Sequence, residues 1–163
     1  PSAASVHDEL VDVVASDGVA DVPKTAGRAV SALLTADAFA DEHVAALVDA
    51  VPRLLYADVV PPATTGARTL AALAATERLP AERVDDVLWY AIQLCTVDEG
   101  GAESGSLRVA AIHALQGLAT NYDVPPDYRK HVLGGLSIAA RGDERHVDQS
   151  RRAALEGFRV VSA

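Results

Sequence analysis

Apolar positions recur along this chain three or four residues apart, the spacing of a helix face, and short breaks interrupt the pattern throughout. No stretch alternates with the two-residue period of a half-buried strand. The pattern predicts helices over 3–16, 23–36, 41–57, 62–78, 81–97, 105–120, 126–140 and 145–161. Asp17-Gly18 ends the first, Pro23 opens the second, and Asp41 is placed to cap the third with Glu42 in its first turn. Pro61-Pro62 starts the fourth, Pro80 precedes the fifth and Pro125-Pro126 starts the seventh. The run from Gly100 to Ser106 is the most flexible connector, and Arg141-Gly142-Asp143 closes the seventh helix. Pro52 lies inside the third helix and should kink it.

The even-numbered helices align with one another. One apolar position is filled by Val30, Leu70, Ile112 and Leu155, and the position three residues later by Leu33, Leu73, Leu115 and Phe158. Successive members stand 40, 42 and 43 residues apart. Small residues precede them at Ala29, Thr69, Ala111 and Ala154, where a facing helix can approach. Two helices in such a period mark a stack of helical hairpins, since a tetratricopeptide array repeats every ~34 residues.

Within this pattern, the segment from Leu107 to Leu118, which contains Leu107-Arg108, Ala110-Ala111, Ala114-Leu115 and Gly117-Leu118, resembles the second helix of a HEAT repeat. Such a helix opens with an apolar residue and Arg, continues with paired Ala and Ala-Leu, and closes on Gly-x-Leu. Ser150 to Phe158 follows the pattern more loosely, and Arg28 and Arg68 sit two places later than it requires. The resemblance implies an all-α, right-handed α-solenoid of two-helix HEAT-like units, at about 1–37, 38–78, 79–121 and 122–163, forming a single domain. HEAT proteins as a class are scaffolds and adaptors that bind proteins along a curved surface; a minority act on nucleic acids or as enzymes. A non-catalytic protein-binding adaptor is therefore the expectation. An enzyme or enzyme accessory subunit is the alternative, and a nucleic-acid binder the third reading.

Composition narrows these readings. Half of the 163 residues are hydrophobic but only 4% are aromatic, so the core must be built from Ala, Val and Leu. The formal charge of −9 disfavours attraction to phosphate backbones and anionic lipids. Lys24 and Lys130 are the only lysines, and this scarcity beside abundant Asp fits a surface adapted to molar salt, or equally the codon bias of a GC-rich genome. Cys95, the only cysteine, excludes an internal disulfide. No apolar run approaches the roughly 20 residues that cross a bilayer, and no leader pattern precedes the first helix, so a soluble cytoplasmic protein is expected. Pro1 in place of an initiator Met points to a processed chain or a piece of a longer one.

Candidate chemistry then falls on the second helix of each unit. In the aligned register, Gly27, Ser31 and Leu34, then Ala67, Ala71 and Ala74, then Val109, His113 and Gln116, then Arg152, Glu156 and Arg159 face away from the stack. This row would line the concave side, either as a groove for a partner peptide or helix or as an ordinary solvated face. Arg108, Arg152 and Arg159 are the side chains suited to grip an acidic group, although Arg108 and Arg151 also stand where HEAT units use Arg structurally. Trp89 borders the apolar stripe of the fifth helix, as a buried inter-repeat contact or as an exposed anchor for a partner.

No metal or other cofactor is expected. Among His7, His43, His113, His131 and His146, the runs His7-Asp8-Glu9, Glu42-His43 and Glu144-Arg145-His146 place carboxylates beside imidazoles, but adjacent helical residues point about 100° apart. The His-Glu dyads of the iron-binding HEAT hydroxylases do not occur in this sequence. Cys95 continues the apolar stripe of Val84, Val87, Leu88, Ala91 and Ile92, as a buried thiol would. No phosphate-binding glycine loop or Gly-x-Ser-x-Gly elbow is present, and Gly134-Gly135 is read as a site of close helix packing.

Overall fold

The structure, a computed structural model, describes residues 2–16, 18–96, 102–141 and 147–162. Eight α-helices and no strand occur among the described residues. They are α1 (Ala3–Ala15), α2 (Lys24–Thr35), α3 (Asp41–Leu55), α4 (Val60–Ala75), α5 (Val84–Leu94), α6 (Ala102–Asn121), α7 (Pro126–Arg141) and α8 (Val147–Ser162). Single 3-10 turns at Val19–Asp21 and Ala81–Arg83 lead into α2 and α5. Asp17, Gly100-Gly101, Gly142-Asp143 and His146, all assigned to breaks or candidate ligands above, lie outside the described residues.

Proline sets most of the starts. Pro23 is the residue before α2, Pro61-Pro62 fall in the first turn of α4, Pro80 precedes the turn into α5, and Pro126 is the first residue of α7. These are the positions where a missing N–H costs nothing. Pro52 stands within α3, which runs on to Leu55. Two local expectations fail. Asp41 does not cap α3: the cap residue is Ala40 without a side-chain bond, and the Asp41 carboxylate turns instead to Arg78 at 3.0 Å. The connector ending at Ser106 is shorter than expected, because α6 already begins at Ala102. Gly105 costs that helix about 1 kcal/mol, which burial of Leu107 and Ala110 in the following turn offsets.

The helices form two layers. In one, α2 packs on α4, α4 on α6 and α6 on α8; in the other, α1 packs on α3, α3 on α5 and α5 on α7. Each odd helix also packs on the even helix that follows it. The shared core is almost wholly aliphatic, with Val30, Leu54, Leu70, Leu73, Ile112, Leu115 and Leu136 at no more than 0% exposure. Thr64, Thr65 and Thr69 are buried in α4, and their hydroxyls are satisfied by the carbonyls of Val60, Pro23 and Thr65.

A repeated turn joins the layers. Asp37 and Glu77, 40 residues apart, have φ of 52° and 56°. The N–H of Ala38 reaches back to the Leu33 carbonyl and that of Arg78 to the Leu73 carbonyl, both at 2.9 Å. Asp37 and Glu77 close the inner bonds to Leu34 and Ala74. This is the Schellman ending of a helix, followed in both copies by a buried apolar residue, Phe39 or Leu79. Arg78 then ties the second copy to the first, bonding Asp37 and Asp41 at 3.0 Å and the Phe39 carbonyl at 3.4 Å. Tyr122 does the same one unit on, its hydroxyl accepting from Leu79 N–H at 3.1 Å and donating to the Leu79 carbonyl at 2.9 Å.

The aligned apolar positions are buried in α2, α4 and α6, apart from the half-buried Leu33, but not in α8, where Leu155 is 54% and Phe158 42% exposed. The buried face of α8 carries Ala154 and Gly157 instead. A Cβ on Gly157 would stand 3.1 Å from Gln116 and 3.2 Å from Leu136, so a methyl there would require those side chains to yield by a few tenths of an ångström. Leu155 and Phe158 turn away from α6, toward a side of α8 that no described helix covers.

Candidate interaction surface

Placement of the expected outward row differs between the two halves of the chain. Gly27, Leu34, Ala67 and Ala74 are buried between helices rather than facing outward. A Cβ on Gly27 would come within 2.8 Å of Thr65 Cα, so α2 and α4 touch backbone to backbone at this point. Ser31 and Ala71 are half-buried: the Ser31 carbonyl accepts from Thr35, and Ala71 packs against the core. The stripe expected to form a surface in α2 and α4 is thus largely inter-helix contact. Gly27 faces Thr65 of α4 and Ala74 faces Gly117 of α6, so these positions point at the next even helix and not at solvent.

In α6 and α8 the same stripe opens into a cleft of about 470 Å³ lined by His113, Gln116, Arg152, Ala153 and Glu156. His113 and Gln116 lie one turn apart on α6, and Arg152 and Glu156 one turn apart on α8, so both pairs point to the same side. Gln116 fixes the spacing of the walls by donating its Nε2 to the Ala153 carbonyl at 3.0 Å. Desolvation by the surrounding protein lowers the pKa of His113, which favours the neutral ring. Arg152 and Glu156 are exposed and make no ion pair with each other. The cleft therefore offers a cation, an anion, an imidazole and an amide to an incoming molecule.

The other candidates lie elsewhere. Arg108 is half-buried on α6 and does not line the cleft; its charge acts on Cys95. Cys95 itself is fully buried, and loss of solvation drives its thiol to about 12 against the pull of Arg108. Arg159 is exposed on α8 outside the cleft. Trp89 is 44% exposed in the odd-helix layer, where its ring meets His131 of α7 edge-on with centroids 5.8 Å apart. Gly134 has no atom within 4 Å of where a Cβ would stand, so only Gly135, against Ile92 at 3.5 Å, serves close packing.

One pairing escaped sequence reasoning. His43 Nε2 donates to Asp8 Oδ1 at 2.7 Å, joining α3 to α1, while Phe39 packs edge-on against His7 and His43. Glu42, adjacent to His43 in sequence, is not the partner. No group of three His, Cys, Asp or Glu side chains that could hold a metal occurs among the described residues. No described helix is long and apolar enough to cross a membrane.

No protein-family profile and no curated protein matches this chain. Three crystal structures of engineered proteins from the Northeast Structural Genomics Consortium are similar to it, with TM-scores of 0.58, 0.57 and 0.59 at 19%, 19% and 20% identity. They match 94%, 93% and 96% of this chain, which spans 62%, 37% and 68% of their own lengths. At such identity the likeness concerns the helical fold alone.

Proposed function

We propose that this chain is a protein-interaction module of HEAT-like solenoid type, and that the cleft between α6 and α8 receives an extended peptide bearing an acidic side chain. The observation that carries this reading is the convergence of His113, Gln116, Arg152 and Glu156 on one open cleft. Arg152 supplies the specificity. Its guanidinium can take a carboxylate in a two-pronged bond, while Glu156 and Gln116 can meet peptide N–H groups and the neutral His113 ring can accept or donate one bond. A carboxylate held this way gains more than a neutral acceptor does, because charge-assisted bonds are about twice as strong.

The layered order of the helices, the turn repeated at Asp37 and Glu77, and the HEAT-like segment from Leu107 to Leu118 support the solenoid reading. In that arrangement the even helices form the concave side, and the cleft lies on it. The overall charge of −9 makes an acidic partner unfavourable at a distance, so recognition is local and depends on Arg152.

Selection of a random peptide library on the folded chain tests the reading. Enriched peptides should share an acidic residue and lose at least tenfold in affinity, about 1.4 kcal/mol, when Arg152 is replaced in Arg152→Glu. Peptides that bind wild type and Arg152→Glu equally would overturn it, as would a selection that enriches none.

A further inference from the structure

In α4, α6 and α8 the stripe that faces the preceding even helix is built alike. Arg68 of α4 donates to the Lys24 carbonyl of α2 at 3.1 Å, so the stripe it shares with Ala72 faces α2. On α6, Asn121 donates to the Ala74 carbonyl at 2.9 Å, and a Cβ on Gly117 would meet Ala74 at 3.0 Å, so the stripe of Gly117 and Ala114 faces α4. On α8, Ala153 and Gly157 face α6. The aligned apolar stripes carry Val30, Leu70 and Leu73, and Ile112 and Leu115, all buried, with Leu33 half-buried.

Both stripes are also present and uncovered. Leu155 and Phe158, exposed on α8, stand 43 residues beyond Ile112 and Leu115 and repeat the apolar stripe. Arg28 and Ala32, exposed on α2, stand 40 residues before Arg68 and Ala72 and repeat the stripe that faces the preceding even helix. The odd helices agree, with Ile138 of α7 exposed at one end and Val6 and Val13 of α1 at the other. Charge is complementary as well. Glu9 and Asp12 are exposed on α1, whereas Arg151 and Arg159, which do not line the cleft, are exposed on α8.

We propose that chains of this sequence associate head to tail, the α7–α8 end of one copy packing on the α1–α2 end of the next as a further copy of the interior joint. Arg28 then takes the place of Arg68, donating to a carbonyl of the neighbour's α8. Pairing of two α8 ends would set the arginines against one another, so the contact joins unlike ends and does not close on itself as a two-fold dimer does. The proposal rests on the packing of the helices and not on the peptide cleft.

Sedimentation velocity with end-blocked variants tests it. The wild-type mass should climb with concentration without stopping at a dimer. Phe158→Glu spoils the α8 end and Val13→Arg the α1 end; both alter exposed side chains, so the melting temperature should hold and each variant alone should stay monomeric. Mixed one to one, they should double in mass to a discrete heterodimer, through the one good end left on each. A wild type that remains monomeric into the millimolar range overturns the proposal. So does a dimer of Val13→Arg by itself, which would mean that α8 ends pair, or a mixture that stays monomeric.

Discussion

Gly66 and Gly134 are both helical glycines, and the space around them predicts opposite responses to the same methyl group. A Cβ at Gly66 would stand 2.7 Å from Leu54 Cβ and 3.0 Å from Leu55 N, against backbone that cannot yield without separating α3 from α4. Gly66→Ala should therefore cost about 1–3 kcal/mol, as overpacking does. Gly134→Ala meets open space in α7 and should gain up to about 1 kcal/mol from helix propensity. Urea denaturation of the two variants checks the pair. The sequence pattern pointed to close packing at Gly134, where there is none, and gave no sign of the contact at Gly66.

His113 gives a prediction in pH. Its folded pKa is lowered by desolvation, so the unfolded chain binds the proton more tightly than the native one. Stability linked to His113 is thus complete above the ordinary value of about 6.5 and falls as pH drops through it toward the lowered folded value. An NMR titration should place the ring below that ordinary value, and His113→Gln should flatten the loss of melting temperature over the same window. A midpoint at or above the ordinary value would show that the cleft does not desolvate the ring.

At the scale of elements, the turns divide into those the sequence declares and those it conceals. Proline marks four helix starts because its geometry suits the first turn, and those starts were legible. The Schellman turns were not, because the usual glycine is replaced by Asp37 and Glu77, both at positive φ. A non-glycine residue there is strained, so Glu77→Gly should raise stability by about 0.5–1 kcal/mol. Asp37→Gly should gain less, since it also removes the bond to Arg78. Tyr122→Phe tests the other clamp. It leaves both polar groups of Leu79 without their partner and should cost about 1–3 kcal/mol. Chemical denaturation reads all three. The exposure of Leu155 and Phe158 was concealed for a related reason: periodicity reports which side of a helix is apolar, but not whether another helix covers it.

Across the whole molecule, the order of the helices was readable because period and punctuation repeat, whereas the binding surface was readable only where packing relaxes. In α2 and α4 the predicted row is filled with Gly27, Ala67 and Ala74, small because neighbouring helices press on it. In α6 and α8 the row becomes His113, Gln116, Arg152 and Glu156, and the cleft forms there. The change from small to polar was visible in the sequence; its cause, the separation of the α6 and α8 faces, was not.

The central claim is that this cleft is where the chain meets its partner. Chemical-shift mapping by heteronuclear NMR, with an acidic peptide obtained by selection on the folded chain, tests it most directly. The account predicts that the largest changes fall on His113, Gln116, Arg152, Ala153 and Glu156. Changes centred instead on Trp89 and His131, or on α1 and α2, would contradict it.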